Sequence, residues 1–208
     1  MSARVAGLSA VGLVALWVGV PAATAQVASS LGPTKPDAKW VVDMVHSQVD
    51  FGVRHLVGRV RGTFDKWYAV LTTKENDWKQ GTVKVSVQTA SLNTGNAYRD
   101  ADLRSDRFFD VQRYPRMTFE GSEFAVADST LTVSGILTIK GHSKPITLTG
   151  QYRGVAKDSD GHERLAFEAT GEVDRRDFGI QWNESVAGKD LVGNTVTITV
   201  GIEAVRTR

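Results

Sequence analysis

From Trp40 onward, apolar and polar residues alternate with a period of two over most of the chain. Near the C-terminus, for example, Val196, Ile198, Val200 and Ile202 are separated by threonine or glycine. This pattern is typical of a β-strand with one buried face. The alternating segments are 47–55, 57–73, 80–90, 114–126, 130–140, 145–156, 163–175 and 191–204. The pattern therefore predicts an all-β domain of about eight antiparallel strands.

The length of these segments favours one kind of all-β fold. Several exceed the usual strand length of about five or six residues, and turn-forming sequences at 140–143 and 158–161 join neighbours as hairpins. Long hairpin-connected strands favour closure into an up-and-down barrel, with a two-sheet sandwich as the alternative. Because any β core needs apolar inward faces, the alternation leaves both a filled core and a hollow interior open.

The N-terminal residues have the organisation of a secretory signal peptide. Arg4 precedes an apolar run from Val5 to Val20, and Ala23-Thr24-Ala25 is a small-residue cleavage site. Cleavage after Ala25 predicts a periplasmic or secreted mature protein. Residues 26–39 contain two prolines and small polar residues, which predicts a flexible leader. The remaining residues, 40–208, have the length of one domain.

Composition and motifs exclude several classes of function. The chain has no cysteine, so disulfides, thiolate catalysis and thiolate metal sites are excluded. A formal net charge of +2 gives no overall field that would attract nucleic acid. The sequence also lacks the G-x-S-x-G, G-x-G-x-x-G, P-loop and H-E-x-x-H motifs. We therefore expect no enzymatic activity, no cofactor, no bound metal and no nucleic-acid partner.

Residues 91–115 interrupt the alternation with a charged segment that includes paired aromatic residues. Arg99 and Arg104 lie among aspartates, and Phe108 and Phe109 follow them. A connection of this length in a compact domain is commonly a functional loop or lid. The neighbouring aspartates favour local ion pairs, although guanidinium groups also suit a bidentate phosphate or carboxylate.

Two further sets of polar residues are more typical of structural roles. The cluster 175–180 combines charge pairing with an aromatic residue, which indicates a structural corner in which an arginine is buried against an aspartate. The four histidines, His46, His55, His142 and His162, have no metal-ligand spacing. We expect each histidine to be structural or solvated.

A series of motifs runs in order along the mature chain. They are Trp40-Val41-Val42-Asp43, His46-Ser47-x-Val49-x-Phe51-x-Val53-x-His55, Val60-x-Gly62-x-Phe64, Ser91-Leu92-x-Thr94-Gly95, Phe108-Phe109-Asp110, Tyr114-Pro115, Gly135-x-Leu137-Thr138-Ile139-x-Gly141 and Arg175-x-Asp177-Phe178-Gly179-Ile180. Together they resemble the YceI-like family of exported lipid-binding proteins. The resemblance extends from Trp40 to Ala204, which is nearly the whole mature chain.

This resemblance implies an extended, eight-stranded, lipocalin-like antiparallel barrel with a short helical segment near 97–109. It also implies an apolar tunnel for an isoprenoid-type lipid, and so favours a hollow interior over a filled one. Residues expected to line the tunnel are Phe51, Val53, Phe64, Val85, Phe108, Phe109, Phe119, Leu137, Phe178 and Trp182. Residues expected near a polar head group are Arg99, Arg104, Arg175, His46 and His55.

The function expected from the sequence is non-enzymatic binding of an amphiphilic lipid, either a polyprenyl phosphate or a quinone-like chain, for storage, transport or protection. One alternative is an enzyme or redox helper that acts on such a lipid, with His46 or His55 as acid or base. Another is a structural secreted barrel with a filled core. Transient membrane contact and a homodimer are both compatible with the sequence.

Overall fold

The structure is a computed structural model that describes residues 37–74 and 77–207, apart from the side chain of Trp78. The predicted signal peptide, its cleavage site and most of the predicted leader lie outside the described residues. Within the described part of the chain, no helix has the length and apolar character needed to cross a bilayer.

The described chain forms thirteen strands and one α-helix. The strands are β1 (Ala38–Val42), β2 (Gln48–His55), β3 (Gly58–Phe64), β4 (Trp67–Lys74), β5 (Asp77–Gln88), β6 (Leu92–Asn93), β7 (Arg116–Ala127), β8 (Thr130–Ile139), β9 (His142–Lys157), β10 (Glu163–Asp174), β11 (Ser185–Val186), β12 (Lys189–Asp190) and β13 (Val192–Thr207). The helix, α1, is Ala97–Arg104. Short 3₁₀ turns occupy Thr89–Ser91 and Arg175–Phe178.

Eight strands close into an antiparallel barrel in the order β1-β4-β5-β7-β8-β9-β10-β13, and β13 pairs with β1 to complete it. The predicted eight-stranded antiparallel barrel with a short helix is therefore confirmed, and closure excludes the two-sheet sandwich. The last strand has two neighbours along its length: Ala204 pairs with Val42 of β1, whereas Val196 pairs with Val53 of β2.

The double pairing of β13 defines the two ends of the barrel. At one end, which we call the base, β1 pairs with the C-terminal part of β13. At the other end, which we call the rim, β2 and β3 form a hairpin with its turn at Leu56 and Val57. Arg104 of α1 hydrogen-bonds to the chain that follows β5 at the rim, and the 3₁₀ turn Arg175–Phe178 follows β10 at the same end.

The strand predictions differ from the structure in two respects. The short strands β1, β6, β11 and β12 were not predicted, and β1 includes Ala38 and Lys39, which the sequence assigned to the leader. The predicted strand 57–73 is divided into β3 and β4 at Asp65 and Lys66. The chain turns there because β3 pairs with β2, whereas β4 pairs with β1 and β5. A local break in the alternation marks this corner, since two exposed polar residues separate the buried Phe64 and Trp67.

The segment 91–115 contains the predicted helix, but the helix ends earlier than predicted. Asn96 caps α1 by accepting a hydrogen bond from the Arg99 backbone N–H at 3.0 Å. After Arg104 the chain forms turns instead of further helix, and the backbone N–H of Phe109 donates to the Leu103 carbonyl. These turns direct Phe108 and Phe109 towards the barrel, because Phe108 is buried and Phe109 packs against the core.

Candidate functional site

The barrel encloses a cavity of about 190 Å³. Of the described residues that line it, only Asp50, Thr118 and Arg175 are polar. The interior is therefore not completely filled by side chains, which excludes the filled core that the alternation alone left open. This lining follows from the period of two, because alternate residues of every wall strand point inward and nearly all of these are apolar.

The structure places nine of the ten predicted tunnel residues around this cavity: Phe51, Val53, Phe64, Val85, Phe108, Phe109, Phe119, Leu137 and Phe178. The tenth, Trp182, lies behind the lining, with its ring centroid 5.2 Å from that of Phe108. Lining residues that were not predicted include Trp67, Ala69, Leu71, Met117, Val192, Val196, Ile198, Val200 and Ile202. The inward alternation of β4 and β13 was the signal that could have identified most of them.

Aromatic side chains are concentrated where the segment after α1 meets the barrel wall. The Phe64 ring packs edge to face on Phe109 at 5.8 Å between centroids, and Phe51 lies 5.4 Å from Phe64. Arg107 stacks over the Trp182 ring at 5.0 Å and forms an ion pair with Asp102. These contacts hold Phe108 and Phe109 over the interior of the barrel at the rim.

The position of the Phe51 ring depends on a glycine in the neighbouring strand. Gly62 pairs with Phe51 across β2 and β3. A Cβ atom at position 62 would lie 2.6 Å from Cζ of Phe51, which is too close for any real contact. Glycine at this position therefore lets the Phe51 ring lie against the β3 backbone and face the cavity.

The base of the barrel is closed by side chains. Ala38, Trp40, Leu131, Leu165 and Ala204 are at most 3% exposed, and they pack beyond the cavity without lining it. We therefore expect a ligand to reach the cavity from the rim or through the wall near the rim.

A network of charged groups centred on Arg164 lies over the base. Arg164 Nη1 is 2.7 Å from both Asp43 Oδ2 and Glu203 Oε1, and its Nε is 2.9 Å from Asp158 Oδ2. Hydrogen bonds from Arg164 lower the pKa of Asp158 to about 2 and hold the pKa of Asp43 further below its ordinary value. Asp43, Glu203 and His46 have the mutual distances of a metal site, but Arg164 already supplies a positive charge to the two carboxylates.

Arg175 is a buried structural residue in the rim. It is 5% exposed, and its guanidinium donates to the carbonyls of Gly193, Ile180 and Trp182 at 2.7–2.9 Å. Burial lowers the pKa of Arg175. The cluster does form a corner with a buried arginine, but the expected aspartate partner is wrong: backbone carbonyls accept from the buried Arg175, and Asp174 pairs with the exposed Arg176 instead.

Arg99 and Arg104 connect α1 to the chain that precedes it. Arg99 donates from Nε to Thr94 Oγ1 at 2.7 Å, and Arg104 donates to the carbonyls of Ala90 and Leu92 at 2.9 and 2.6 Å. The expectation that neighbouring aspartates pair with these two arginines is wrong. Their partners are backbone and hydroxyl oxygens, because the chain folds back so that 90–94 lies beside the helix.

The five residues expected near a head group do not come together at one place. Arg99, Arg104, Arg175 and His55 all lie in the rim half of the molecule, and His55 ends β2 as an exposed residue. His46 lies at the base, where its Nδ1 is 3.0 Å from Asp43 Oδ2. Of the five, Arg175 alone lines the cavity as the structure describes it.

Comparison with known proteins agrees with this architecture. The sequence model of the YceI-like domain family matches residues 40–204 of this chain. A UPF0312 protein of Serratia proteamaculans is 33% identical over 164 residues, which cover 78% of this chain and 83% of that protein.

Solved structures of other proteins share this fold. The crystal structure of the Campylobacter jejuni YCEI protein is 30% identical with a TM-score of 0.65, covering 74% of this chain and 90% of that one. A polyisoprenoid-binding domain from Saccharophagus degradans has the same fold at a TM-score of 0.61 and 17% identity, covering 81% and 98% of the two chains. The resemblance seen in the sequence is confirmed, and the chain belongs to the YceI-like family.

Proposed function

We propose that this protein is exported and binds an isoprenoid-type lipid in its barrel cavity, without changing the lipid chemically. The observation that carries the proposal is the apolar lining of the cavity. The one charged side chain of the lining that is deeply buried, Arg175, already donates to protein acceptors. Such a cavity offers little to a polar solute and suits a hydrocarbon chain.

The similarity to a polyisoprenoid-binding domain supports this choice of ligand class, because the two proteins share their fold. The secretory pattern before Ala25 supports a location outside the cytoplasm. Transient membrane contact would allow lipid exchange. Homodimer formation stays a prediction from the sequence.

The size of the cavity limits the length of hydrocarbon chain that it can bury. Burial contributes about 0.8 kcal/mol per methylene group. Affinity should therefore rise steeply with chain length until the cavity is full and then level off, because further units must widen the cavity or protrude from it.

We place the polar head group of the lipid at the rim. The base is filled by side chains, and Arg99, Arg104 and His55 all lie in the rim half. Nη1 of Arg99 and Nη1 of Arg104 donate to no described residue, so each keeps one donor group for an anionic or carbonyl head group at the rim.

Binding is favoured over the enzymatic alternative by the positions of the histidines. His46 and His55 are exposed, and neither is among the described residues that line the cavity. An acid or base at either position would therefore not contact a chain held inside the barrel.

Native mass spectrometry of the mature protein, purified after export, tests the proposal directly. We expect a co-purifying lipid, and after its removal we expect binding of farnesyl and geranylgeranyl chains but not of short polar solutes. Absence of both a co-purified lipid and any binding to isoprenoids or quinones would contradict the proposal.

A matched pair of substitutions locates the binding site. Ala69 lines the cavity and Ala125 is exposed on the barrel wall, so Ala69→Phe fills the cavity while Ala125→Phe adds the same ring outside. Ala69→Phe should weaken isoprenoid binding at least about tenfold, whereas Ala125→Phe should leave it unchanged. Thermal unfolding of both variants shows whether each is folded, and equal affinities of two folded variants would place the ligand elsewhere.

A further inference from the structure

The rim hairpin, residues 54–61, presents apolar side chains at its tip. Val57 is fully exposed at 102% relative accessibility, and Leu56 beside it is 37% exposed. Leu56 has a positive φ of 49°, which turns the chain tightly and leaves both side chains at the tip. Two apolar residues do not form a large exposed patch, but their place at the end of a projecting hairpin makes them available to a contact outside the molecule.

Cationic side chains flank this tip on both strands. Arg54, Arg59 and Arg61 are all exposed, and none of them forms an ion pair with a carboxylate of the described chain. Arg59 donates to Thr197 Oγ1 at 2.7 Å, and Arg54 donates to the carbonyls of Leu56 and Asp190. These hydrogen bonds hold the guanidinium of Arg54 beside the tip and that of Arg59 further back, over Gly52 of the neighbouring strand, without neutralising either charge.

A second hairpin, β11–β12, stands beside the first. The Leu56 backbone N–H donates to the Leu191 carbonyl at 2.8 Å, which joins the two hairpins. Val186 is 43% exposed on this second hairpin. Lys189 adds one positive charge there, while Glu184 and Asp190 add two negative charges. Together with the three arginines of the rim hairpin, the two hairpins keep a net positive charge.

The base has a comparable turn with the opposite electrostatic character. Val45 is 86% exposed at its tip and Met44 is 42% exposed. The neighbouring charged groups are Asp43, Asp158 and Glu203 around the single Arg164, so carboxylates predominate there. An anionic surface would therefore attract the rim and repel the base.

We propose that the rim hairpin docks on an anionic phospholipid bilayer, with Val57 and Leu56 inserted among the lipid chains and Arg54 at the phosphate level, while Arg59 and Arg61 add positive charge further back on the hairpin. Apolar residues that insert beside cations that contact anionic head groups are the features of interfacial membrane binding. A second copy of this chain fits less well, because a two-residue convex tip is far smaller than the roughly 1,200 Å² that stable interfaces bury. Two such cationic tips would also repel each other.

The rim hairpin lies close to the cavity along the chain, which connects membrane docking with lipid binding. Val53, which lines the cavity, lies four residues before Val57 on the same strand and turn, a distance of about 13 Å at most. Docking through the rim hairpin would thus bring the rim half of the barrel to the bilayer surface. This connection rests on the proposed function of lipid binding in the cavity, whereas docking itself does not need a bound lipid.

Sedimentation of the delipidated mature protein with vesicles tests the docking surface. One set of vesicles contains phosphatidylcholine alone and the other contains equal parts of phosphatidylcholine and phosphatidylglycerol. We expect binding to the mixed vesicles that weakens at high salt, and much weaker binding to phosphatidylcholine alone. Val57→Asp should reduce binding to mixed vesicles about tenfold, whereas Val45→Asp, a matched change in the base turn, should leave it unchanged.

Several results would overturn the docking surface. These are equal binding to both vesicle types, no binding of the wild-type protein to either, or wild-type binding by a Val57→Asp variant whose thermal unfolding is unchanged. Isoprenoid binding by Val57→Asp, measured in the absence of vesicles, separates the two proposals: it should be normal if the cavity functions as proposed, whatever the vesicle result.

Discussion

Phe109 packs edge to face on Phe64, with 5.8 Å between the ring centroids. Phe64 ends β3, the second strand of the rim hairpin, and Phe109 belongs to the segment that follows α1, so this contact fixes the segment over the interior. Both rings line the cavity. The pair therefore contributes to the shape of the proposed site more than to the closed packing at the base.

Phe109→Ala should weaken isoprenoid binding more than it weakens folding. The side chain is only partly buried and adjoins an existing cavity, so its removal enlarges a space that is already present. Leu165→Ala is the contrasting change, because Leu165 is 1% exposed at the closed base. That variant should lose about 2–5 kcal/mol of unfolding free energy and keep its ligand affinity. Urea unfolding and isoprenoid titration of both variants measure the contrast, and equal effects on both quantities in Phe109→Ala would assign Phe109 to the core instead.

Gly62→Ala should destabilise the barrel and displace the Phe51 ring. The added methyl group would lie 2.6 Å from that ring, and overpacking of this kind costs about 1–3 kcal/mol. Gly58→Ala, four residues away on the same strand, is the control because its nearest neighbour would be the His55 carbonyl oxygen at an ordinary 3.7 Å. Thermal unfolding should show a clear loss for the first variant and little change for the second, and similar stability of both would contradict the close packing of Phe51.

Arg175→Met should be strongly destabilising although it removes a charge from an apolar region. The substitution leaves the carbonyls of Gly193, Ile180 and Trp182 buried without their donor, with an expected loss of about 3 kcal/mol or more. Arg176→Met is the control, since Arg176 is exposed and pairs only with Asp174. Urea unfolding should leave the control close to wild type, whereas comparable stability of the two variants would show that Arg175 does not hold the rim together.

Stability should fall in acid through the network at the base. Arg164 lowers the pKa of Asp158 from 3.8 to about 2, so the folded protein binds this proton at lower pH than the unfolded chain does. The stabilisation is therefore complete above about pH 4 and is lost as the pH falls towards about 2. The melting temperature of the wild-type protein should therefore decrease as the pH is lowered from about 4 to about 2.

Arg164→Met provides the control for this pH dependence. It should be less stable at neutral pH, and its melting temperature should decrease less between about pH 4 and pH 2. Part of the decrease should persist, because Arg176 also holds the pKa of Asp174 at about 2. An identical decrease in variant and wild type would show that the Arg164 network is not the source.

The sequence determined the strands and their inward faces, because side-chain alternation is a property of the local chain. Residues such as Val85, Phe119 and Leu137 were expected inside for this reason, and they line the cavity. The turn at Lys140 and Gly141 was equally predictable, because a tight hairpin turn depends only on neighbouring residues. Both residues have positive φ angles, 50° and 78°, and glycine adopts such angles readily. Ordered motifs across the same strands indicated the family.

Only the tertiary structure decided which groups meet across long separations. Arg175 donates to the Gly193 carbonyl and to other backbone carbonyls, and Arg104 donates to the Ala90 carbonyl. The pattern of charges along the sequence favoured nearby aspartates as the partners of these arginines. The short strand β1 closes the barrel against the end of β13, some 160 residues away. Such contacts depend on how all the strands register against one another, and no local pattern of residues encodes that register.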